Sequence, residues 1–343
     1  MATGQLSFSV STAQQALPVE AVQVVITKVS AGQVVYDQTL ITDEDGNTPA
    51  IDLEAPDKAL SLDPGYEGFP YEVYDVQFRK EGYVPAEVRD IQIFADTLAV
   101  QVLEMIPDAT GNYTGPRQVS TVPQHQLTCE HPCYSTAPAE STVENRILQV
   151  PVIPTNITVH LGRPNNSSAE ILTVPFKYYI KNVASSEIYP TWPENALRAN
   201  IYCQISLALN RVYTEWYRSR GYNFQITNST QYDQYFVKNR NIFDNISKIV
   251  DEIFNVYIRK NNREEPFYAE YCDGRQVTNC PGLKQWGTVN LANQGYSPIQ
   301  ILRYYSGSGV ALHESNNIRD IPQSYPGTPL RVGSTGTNVA IIQ

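Results

Sequence analysis

The sequence predicts a multidomain protein, with an N-terminal all-β sandwich followed by an α+β domain that has a long helix and mixed strands. Residues 4–107 alternate apolar and polar side chains in short runs separated by turns, which is typical of strands. Residues 197–216 instead carry one apolar stripe at helical spacing. The chain of 343 residues exceeds one typical domain. The predicted divisions are a sandwich at 1–107, a linker at 108–149, an α+β domain at 150–325 and a short terminal segment at 326–343.

The N-terminal region is expected to contain seven short strands. Val22, Val24 and Ile26 alternate with polar neighbours, so one face of that strand is expected to be buried. The acidic residues around 37–57 are expected to form a solvated edge. The expected strands are Gln5–Val10, Ala21–Val29, Gln33–Leu40, Pro49–Leu53, Tyr71–Lys80, Val88–Phe94 and Thr97–Ile106.

Residues 108–149 have the composition of a linker. Pro, Ser, Thr and Gly interrupt both the strand and the helix period, and exposed stretches of this kind are where proteases cut. His125, Cys129, His131 and Cys133 lie close together here. They are compatible with a zinc site, with a Cys129–Cys133 disulfide or with incidental residues. Their tight spacing differs from that of a zinc knuckle, so no metal is assigned.

The remaining cysteines leave the redox compartment open. The chain has five cysteines, so at least one stays unpaired within it. Cys203 lies near the apolar stripe of the long helix and is expected to be a small buried residue. Cys272 and Cys280 flank a turn; a short disulfide and a partial metal site are both compatible with them, but simple burial is favoured.

Residues 174–220 place one carboxylate, that of Glu187, at a joint between two regular elements. The alternation from Pro175 to Val183 predicts a half-buried strand, and residues 184–187 are small and polar, which favours a turn. A long helix is predicted to begin near Glu194. An acid at such a joint can face a cleft, where desolvation raises its pKa and suits it to general acid chemistry. The alternative is a surface or capping glutamate.

Further elements are predicted after the long helix. Tyr222–Ile226 is expected to be a short strand and residues 227–236 a polar loop. A second helix is predicted over Ile242–Ile258, because apolar residues recur there at steps of three and four.

Composition and charge exclude some partners. The formal net charge is −10 and the pI is near 5.0, whereas nucleic acid and anionic membranes attract cationic surfaces. Residues 1–20 show no secretory signal, and no apolar run is long enough to span a bilayer. Charged residues make up only 17%, while Tyr and Pro each number 23, which is typical of strands, turns and carbohydrate-facing aromatic residues.

The stretch VPFKYYIKNVASSEIYPTWPENALRAN resembles the core motif of the stage II sporulation protein D family. In that family a Val-x-x-x-Glu segment, a Trp-Pro pair and an Ala-Leu-Lys/Arg-Ala helix follow one another, and Glu187 falls on the catalytic glutamate. The resemblance implies a lytic transglycosylase that cuts peptidoglycan between N-acetylmuramic acid and N-acetylglucosamine without a cofactor. Asn200 and Ile205-Ser206 depart from the family, so a polar network there is absent or rebuilt.

The same resemblance implies a set of substrate-binding residues. The loop at 227–236 resembles the family's Thr-x-x-(Asp)-Gln-x-Tyr segment, Phe267–Gly274 resembles the strand and turn facing the acid, and Gln285-Trp286-Gly287 resembles its closing tryptophan. Aromatic side chains in such a site stack on sugar rings, although a single buried aromatic residue is more often part of a core. The expected substrate-binding residues are Tyr189, Asp233, Gln234, Tyr271, Asp273 and Trp286.

The flanking regions carry two more resemblances. The N-terminal strands are similar to the carboxypeptidase-regulatory-like sandwich, and Pro329–Gln343 is similar to the opening of a peptidoglycan-binding module. The order of the parts resembles the clostridial spore-cortex-lytic proenzyme family. This implies spore-cortex peptidoglycan as substrate, a location in the spore cortex, and activation by a subtilisin-like germination protease that cuts the linker. The alternatives are a wall-binding regulator of a separate amidase and a structural component of a coat or injection assembly.

Overall fold

The computed structural model describes residues 2–111, 113–127, 148, 150–321, 332–333 and 335. The chain divides into two compact units. The first unit comprises Met1–His125, Tyr189–Trp192 and Val237–Lys248; the second unit comprises Gln126–Ile188, Pro193–Phe236 and Ile249–Gln343. The architecture is therefore β-rich and multidomain, with several sheets and one long helix.

The elements up to residue 121 are mostly strands. They are β1 (Ala2–Thr12), β2 (Leu17–Pro18), β3 (Gln23–Ser30), β4 (Gln33–Ile41), β5 (Ile51–Ala55), α1 (Lys58–Leu62), β6 (Glu72–Arg79), β7 (Ala86–Ile93), β8 (Leu98–Glu104) and β9 (Gln118–Thr121).

Helices and short strands follow in the rest of the described chain. They are β10 (Ile153–Pro154), β11 (Asn156–His160), β12 (Ile171–Pro175), α2 (Phe176–Glu187), α3 (Glu194–Tyr213), a 3₁₀ turn (Arg218–Arg220), β13 (Ile226–Thr227), β14 (Ile242–Phe243), α4 (Asp244–Ile253), β15 (Val256–Lys260), β16 (Tyr271–Cys272), β17 (Leu283–Lys284), α5 (Gln285–Asn293), α6 (Pro298–Ser306), β18 (Val310–Glu314) and β19 (Ile318–Arg319).

Two five-stranded sheets form most of the first unit. One has the order β4-β3-β6-β7-β9, and the other has the order β14-β8-β1-β2 with β5 also paired to β1. Strand β1 runs parallel to β8, with Leu6 opposite Ala99. Phe8 of one sheet and Phe78 of the other meet edge to face, with ring centroids 5.6 Å apart. Both rings are buried, so they belong to a shared apolar core.

The seven strands predicted in the N-terminal region are confirmed as β1 and β3–β8. Alternation predicted them because Leu6, Phe8 and Val10 are buried while the serines between them are partly exposed. The stretch assigned to a linker contains one unpredicted strand, since residues 118–121 pair in parallel with β7. Its four residues are too few, and too exposed, to show a period in the sequence.

Helix α3 confirms the predicted long helix and lies at the centre of the second unit. It packs against α2, α5, α6 and β15. Leu197, Ile201 and Ile205 of the predicted stripe are at most 1% exposed. Polar residues on its other faces are buried as well, among them Asn200 and Gln204. A helix that is surrounded in this way brings polar side chains into a dry interior, where each requires a hydrogen-bond partner.

The strand predicted over Pro175–Val183 and the turn after it are wrong, because α2 occupies Phe176–Glu187. Its buried positions recur at steps of three and four, which is the helical period. Phe176 and Ile180 fit both the strand period of two and the helical period. The strand period buries Tyr178 and the helical period buries Tyr179, and two adjacent tyrosines do not show which of them is buried. Ser186 donates to the carbonyl of Asn182 at 2.8 Å, so it satisfies its hydroxyl within the helix rather than forming a turn.

The helix predicted over Ile242–Ile258 is wrong at both ends. Ile242–Phe243 forms β14, the helix α4 covers only Asp244–Ile253, and Val256–Lys260 forms β15. Isoleucine and tyrosine suit strands as well as buried helix faces, so the apolar spacing continued past the true ends by coincidence. The short strand predicted at Tyr222–Ile226 appears as Ile226–Thr227.

Some predictions fall outside the described residues. These are the questions of a zinc site or a disulfide at Cys129 and Cys133, the part of the predicted cleavage region 108–149 that covers 128–147, and most of the terminal segment that resembles a peptidoglycan-binding module. In the described ranges, no helix combines the length and apolar character that crossing a membrane requires.

Candidate acid–base site

Glu187 is the last residue of α2 and is 0% exposed. The helical spacing of α2 aligns it with Tyr179, Ile180, Val183 and Ala184 on the buried side, so its carboxylate enters the interior of the second unit. The backbone carbonyl of Glu187 accepts a long hydrogen bond of 3.4 Å from Gln285 Nε2. The end of the helix is thereby held by a side chain from α5.

Three donors hold the Glu187 carboxylate. Oε1 accepts from the backbone N–H of Tyr235 at 2.8 Å. Oε2 accepts from Tyr271 Oη at 2.7 Å and from Gln204 Nε2 at 2.8 Å. These donors come from a loop, from β16 and from α3. Four separate segments of the second unit, with α2 as the fourth, therefore fix the position of the carboxylate.

A second layer of hydrogen bonds extends from Tyr271. Its hydroxyl oxygen lies 3.0 Å from Gln234 Nε2, which also lies 3.0 Å from the backbone carbonyl of Gln204. The other end of the Gln234 amide, Oε1, accepts from Tyr179 Oη at 3.0 Å. Tyr179 in turn stacks on Phe236, with centroids 5.6 Å apart. All of the polar side chains in this layer are at most 1% exposed, so the network is dry.

The pKa of Glu187 is raised to about 7 from its ordinary value of 4.5, because burial removes water from the charged form. The hydrogen bonds from Tyr235, Tyr271 and Gln204 favour the carboxylate and lower the pKa, but they offset burial only in part. The position at the carboxyl end of α2 disfavours negative charge as well, since the helix dipole is negative there. Near neutral pH both protonation states of Glu187 are therefore populated, as a general acid or base requires.

The raised pKa of Glu187 predicts a pH-dependent stability. Between pH 4.5 and 7 the unfolded chain releases the proton of residue 187 while the folded chain keeps it. We expect this group to lower the free energy of unfolding by about 3 kcal/mol as the pH rises through that window, and to add no further change above it. Denaturant unfolding of the second unit measured from pH 4 to 8 checks this. In Glu187→Gln that component disappears, whereas it persists in Glu67→Gln, a change at an exposed site.

Two of the predicted substrate-binding residues lie in the network around Glu187. Tyr271 contacts the carboxylate directly, and Gln234 contacts Tyr271. Both are buried, and their polar atoms are engaged with protein groups. These hydrogen bonds help to fix the position of Glu187. Contact of either residue with a sugar stays a prediction.

Asp233 is committed to other partners. Its carboxylate accepts from Arg211 Nε at 2.7 Å, from Tyr217 Oη at 2.6 Å and from the Thr227 backbone N–H and hydroxyl at 2.9 and 2.7 Å. The side chain is 0% exposed and forms a buried ion pair with Arg211. This arrangement ties the loop before Gln234 to α3. Its predicted contact with sugar hydroxyls stays untested, but four donors already occupy the carboxylate.

Asp273 lies within the loop between Cys272 and Cys280, which a disulfide closes, and Trp286 follows that loop. Asp273 accepts from the backbone N–H groups of Gln276 and Val277 at 2.6 and 2.9 Å, and its own carbonyl accepts from the Trp286 backbone N–H at 3.1 Å. Trp286 is 7% exposed. Asp273 therefore shapes a turn, and the predicted contacts of both residues with substrate stay predictions.

A disulfide joins Cys272 and Cys280, although simple burial was favoured for these cysteines. The spacing of eight residues fits a turn, and the parallel pairing of β16 with β17 holds the segment after Cys280 beside Cys272. Cys272 directly follows Tyr271, so the closed loop restrains the residue that donates to Glu187. Cys203 is free and buried, as predicted.

Opening this loop is expected to lower the stability of the second unit. Changing both Cys272 and Cys280 to Ser should lower the free energy of unfolding of the second unit by about 2 kcal/mol, because a short closed loop restricts the unfolded chain. The control is reductant: it should destabilise the wild type by a similar amount and leave the double variant unchanged. Equal unfolding midpoints for wild type and variant would show that the loop contributes nothing.

Tyr189 belongs to the first unit, unlike the residues described above. Its ring lies 5.0 Å from His125, 5.4 Å from Phe94 and 5.7 Å from Trp192, measured between centroids. Its role in substrate binding stays a prediction.

Sequence reasoning missed three members of the site: Gln204, the backbone N–H of Tyr235, and Tyr179. Gln204 lies 17 residues from Glu187 on a different helix, so nothing local connects the two. A polar residue within the apolar stretch of a long helix was the available signal. Asn200 and Ser206 are both hydrogen-bonded, since Asn200 donates to Thr288 at 2.9 Å and Ser206 accepts from the Ile258 backbone at 2.8 Å.

In the part of the chain that the structure describes, no group of three or more His, Cys, Asp and Glu side chains is placed to hold a metal ion. The four residues at 125–133 that carry such ligands lie only partly within that part.

Comparisons with known proteins leave the family open. No family model and no curated protein matches the sequence. Similar solved structures include a Bacteroides uniformis protein proposed to bind carbohydrate, with 17% identity over 30% of this chain, 41% of that chain and a TM-score of 0.21. Acinetobacter radioresistens catechol 1,2-dioxygenase shows 12% identity over 35% of this chain, 58% of that chain and a TM-score of 0.23.

A smaller protein gives the same picture. Klebsiella pneumoniae 5-hydroxyisourate hydrolase shows 12% identity over 30% of this chain, 92% of that chain and a TM-score of 0.18. The chain thus spans 41% and 58% of the first two structures it matches. At these TM-scores the likenesses carry no argument about fold or function, and the resemblance to the stage II sporulation protein D family stays a prediction.

Proposed function

We propose that this protein is a lytic transglycosylase of peptidoglycan with Glu187 as its single acid–base residue. One observation carries the proposal: a carboxyl group that is completely buried, has a pKa of about 7 and is held by donors from separate segments. Strongly perturbed carboxyl groups are concentrated at functional sites. The sequence resemblance to the stage II sporulation protein D family supplies the substrate class.

The chemistry uses one carboxyl group twice. Protonated Glu187 donates to the glycosidic oxygen, so the leaving sugar departs through an oxocarbenium-like transition state. The carboxylate then takes the proton of the muramyl 6-hydroxyl as that oxygen attacks the anomeric carbon and closes a 1,6-anhydro ring. The proton count is restored at the end of the cycle. No water and no cofactor take part.

A hydrolase would need a second carboxylate about 5–9 Å away to activate water or to attack the sugar. Asp233 and Asp273 are the candidates for this role, and both are engaged elsewhere. Asp233 pairs with Arg211, and Asp273 accepts two backbone N–H groups of its own loop. A reaction that needs one acid is therefore favoured over hydrolysis.

The organisation of the chain supports a proenzyme. In this proposal the two five-stranded sheets of the first unit form a sandwich without chemistry of its own, and the contact of Phe8 with Phe78 supports that packing. A subtilisin-like germination protease cuts within 108–149, and the released enzyme degrades spore-cortex peptidoglycan. N-terminal sequencing of the protein from germinated spores should find a new terminus in that range; an intact terminus would exclude processing.

Fragment analysis tests the reaction itself. Intact and linker-cut protein would each be incubated with purified cortex peptidoglycan, and the soluble fragments analysed by mass spectrometry. We expect muropeptides with 1,6-anhydro ends, which are one water lighter than the products of hydrolysis. Fragments with reducing ends would show a hydrolase instead.

The second candidate is a non-catalytic wall-binding regulator of a separate amidase. The complete burial of Glu187 favours it, because a sugar reaches a carboxyl with 0% exposure only after neighbouring side chains move. In that case the cut protein binds peptidoglycan and yields no fragments of its own. Added amidase activity would then rise equally with wild type and with Glu187→Gln.

A further inference from the structure

Gln204 has an incomplete set of partners inside the network. Its side chain is 0% exposed, and its Nε2 donates to Glu187 Oε2 at 2.8 Å. Its Oε1 is buried and has no hydrogen-bond partner among the described residues. A buried acceptor without a partner is unusual and requires an explanation.

Tyr271, the other side chain that donates to Oε2, is held in one orientation. A backbone carbonyl only accepts, so the Gln234 atom 3.0 Å from the Gln204 carbonyl is the amide nitrogen. The other N–H of that amide donates to Tyr271 Oη, so the hydroxyl proton of Tyr271 points at Glu187. Tyr271 therefore stabilises the ionised form of Glu187.

The Gln204 amide has no such second bond. Turning the amide by half a rotation about Cγ–Cδ exchanges its nitrogen and oxygen with little movement of other atoms. One end of the amide is without a partner in either orientation, so the protonation state of Glu187 decides which orientation is preferred. The protonated acid needs an acceptor in this dry interior, and Gln204 Oε1 is an acceptor of the right kind beside it.

We propose that Gln204 is a positioning residue that binds Glu187 in both protonation states. It donates Nε2–H to the carboxylate and, after its amide turns, accepts the proton of the neutral acid at Oε1. Only the consequence for catalysis rests on the proposed function. In catalysis, Glu187 would keep one position while it gives up and regains its proton.

The titratable groups around Glu187 allow a clean measurement. Burial raises the pKa values of Tyr271 and Tyr179 well above their usual range, so both stay protonated near neutrality. Asp233 is paired with Arg211, whose pKa is also raised by that carboxylate. Glu187 itself is expected to titrate near pH 7.

The test compares Tyr271→Phe with Gln204→Met, since each removes one donor to Oε2 with little change of shape. The pKa of Glu187 is read from the pH dependence of its ¹³C-labelled carboxyl resonance, so no substrate is needed. Tyr271→Phe removes a donor from the ionised form alone and is expected to lower the acid dissociation constant about tenfold. Gln204→Met removes a partner from both forms, so it should change the acid dissociation constant less than about threefold. On a logarithmic scale this is less than half of the effect of Tyr271→Phe.

A second readout avoids substitution. In the wild type, the ¹⁵N resonance of the Gln204 side-chain amide should shift with the same midpoint as the Glu187 carboxyl. An equal tenfold change in both variants, or a Gln204 amide signal that does not follow the titration, would overturn the proposal. If both results are as expected and peptidoglycan is not cleaved, the proposed function fails while the role of Gln204 stands.

Discussion

Replacing Glu187 by Gln is expected to reduce peptidoglycan cleavage by about 10²- to 10⁴-fold, the contribution that general acid–base catalysis usually makes. The amide has nearly the shape of the acid but has no proton to give to the glycosidic oxygen and cannot accept one from the 6-hydroxyl. Release of anhydro-ended fragments over time measures the loss. Because the acid works in its protonated form, wild-type cleavage should also fall as the pH rises above about 7.

The matched control is Glu67→Gln, which makes the same chemical change at an exposed site of the first unit. It should cleave like the wild type. A circular-dichroism spectrum of Glu187→Gln like that of the wild type would show that the loss is chemical rather than structural. Cleavage by Glu187→Gln at the wild-type rate would remove residue 187 from the mechanism.

Replacing Asp233 by Ala is expected to lower the free energy of unfolding of the second unit by about 3–5 kcal/mol, because it leaves a buried guanidinium unpaired. Arg211 is only 7% exposed and would lose its carboxylate partner. Tyr217 and Thr227 would lose their shared acceptor as well. Urea unfolding followed by tryptophan fluorescence measures the change, since Trp216 lies 4.6 Å from the guanidinium.

Asp251→Ala is the control for this experiment. That carboxylate also pairs with a cation, Lys181 at 2.7 Å, but its side chain is 47% exposed. A surface pair of this kind contributes about 0–1 kcal/mol. If Asp233→Ala instead unfolds like the control and loses only affinity for peptidoglycan, Asp233 acts on the sugar as first predicted.

The sequence predicted the identity of the buried acid but not its local structure. The motif that resembles the stage II sporulation protein D family points to Glu187, and its position at a joint between two elements predicts desolvation. The strand proposed before it is a helix, since Phe176 and Ile180 satisfy a period of two as well as a period near four. The choice between the two periods depends on what each face packs against, and that is not visible locally.

Partners distant in the sequence were the hardest to predict. Gln204, Tyr235 and Tyr271 come from three segments, separated from Glu187 by 17, 48 and 84 residues. Tyr271 was expected near the acid only through the family resemblance. Gln204 gave no signal beyond its polarity, and the role of the Tyr235 backbone cannot be coded by its side chain.

Alternation of apolar and polar residues by itself determined the seven N-terminal strands, and a sustained stripe determined the long helix, because each pattern reports which face leaves water. Only the tertiary structure decided that α3 is buried on all sides, that Asp233 pairs with Arg211 and that Gln204 meets Glu187. Those contacts depend on how segments far apart in the chain pack together. The pKa of the Glu187 carboxyl lies near neutrality because such packing removes its water.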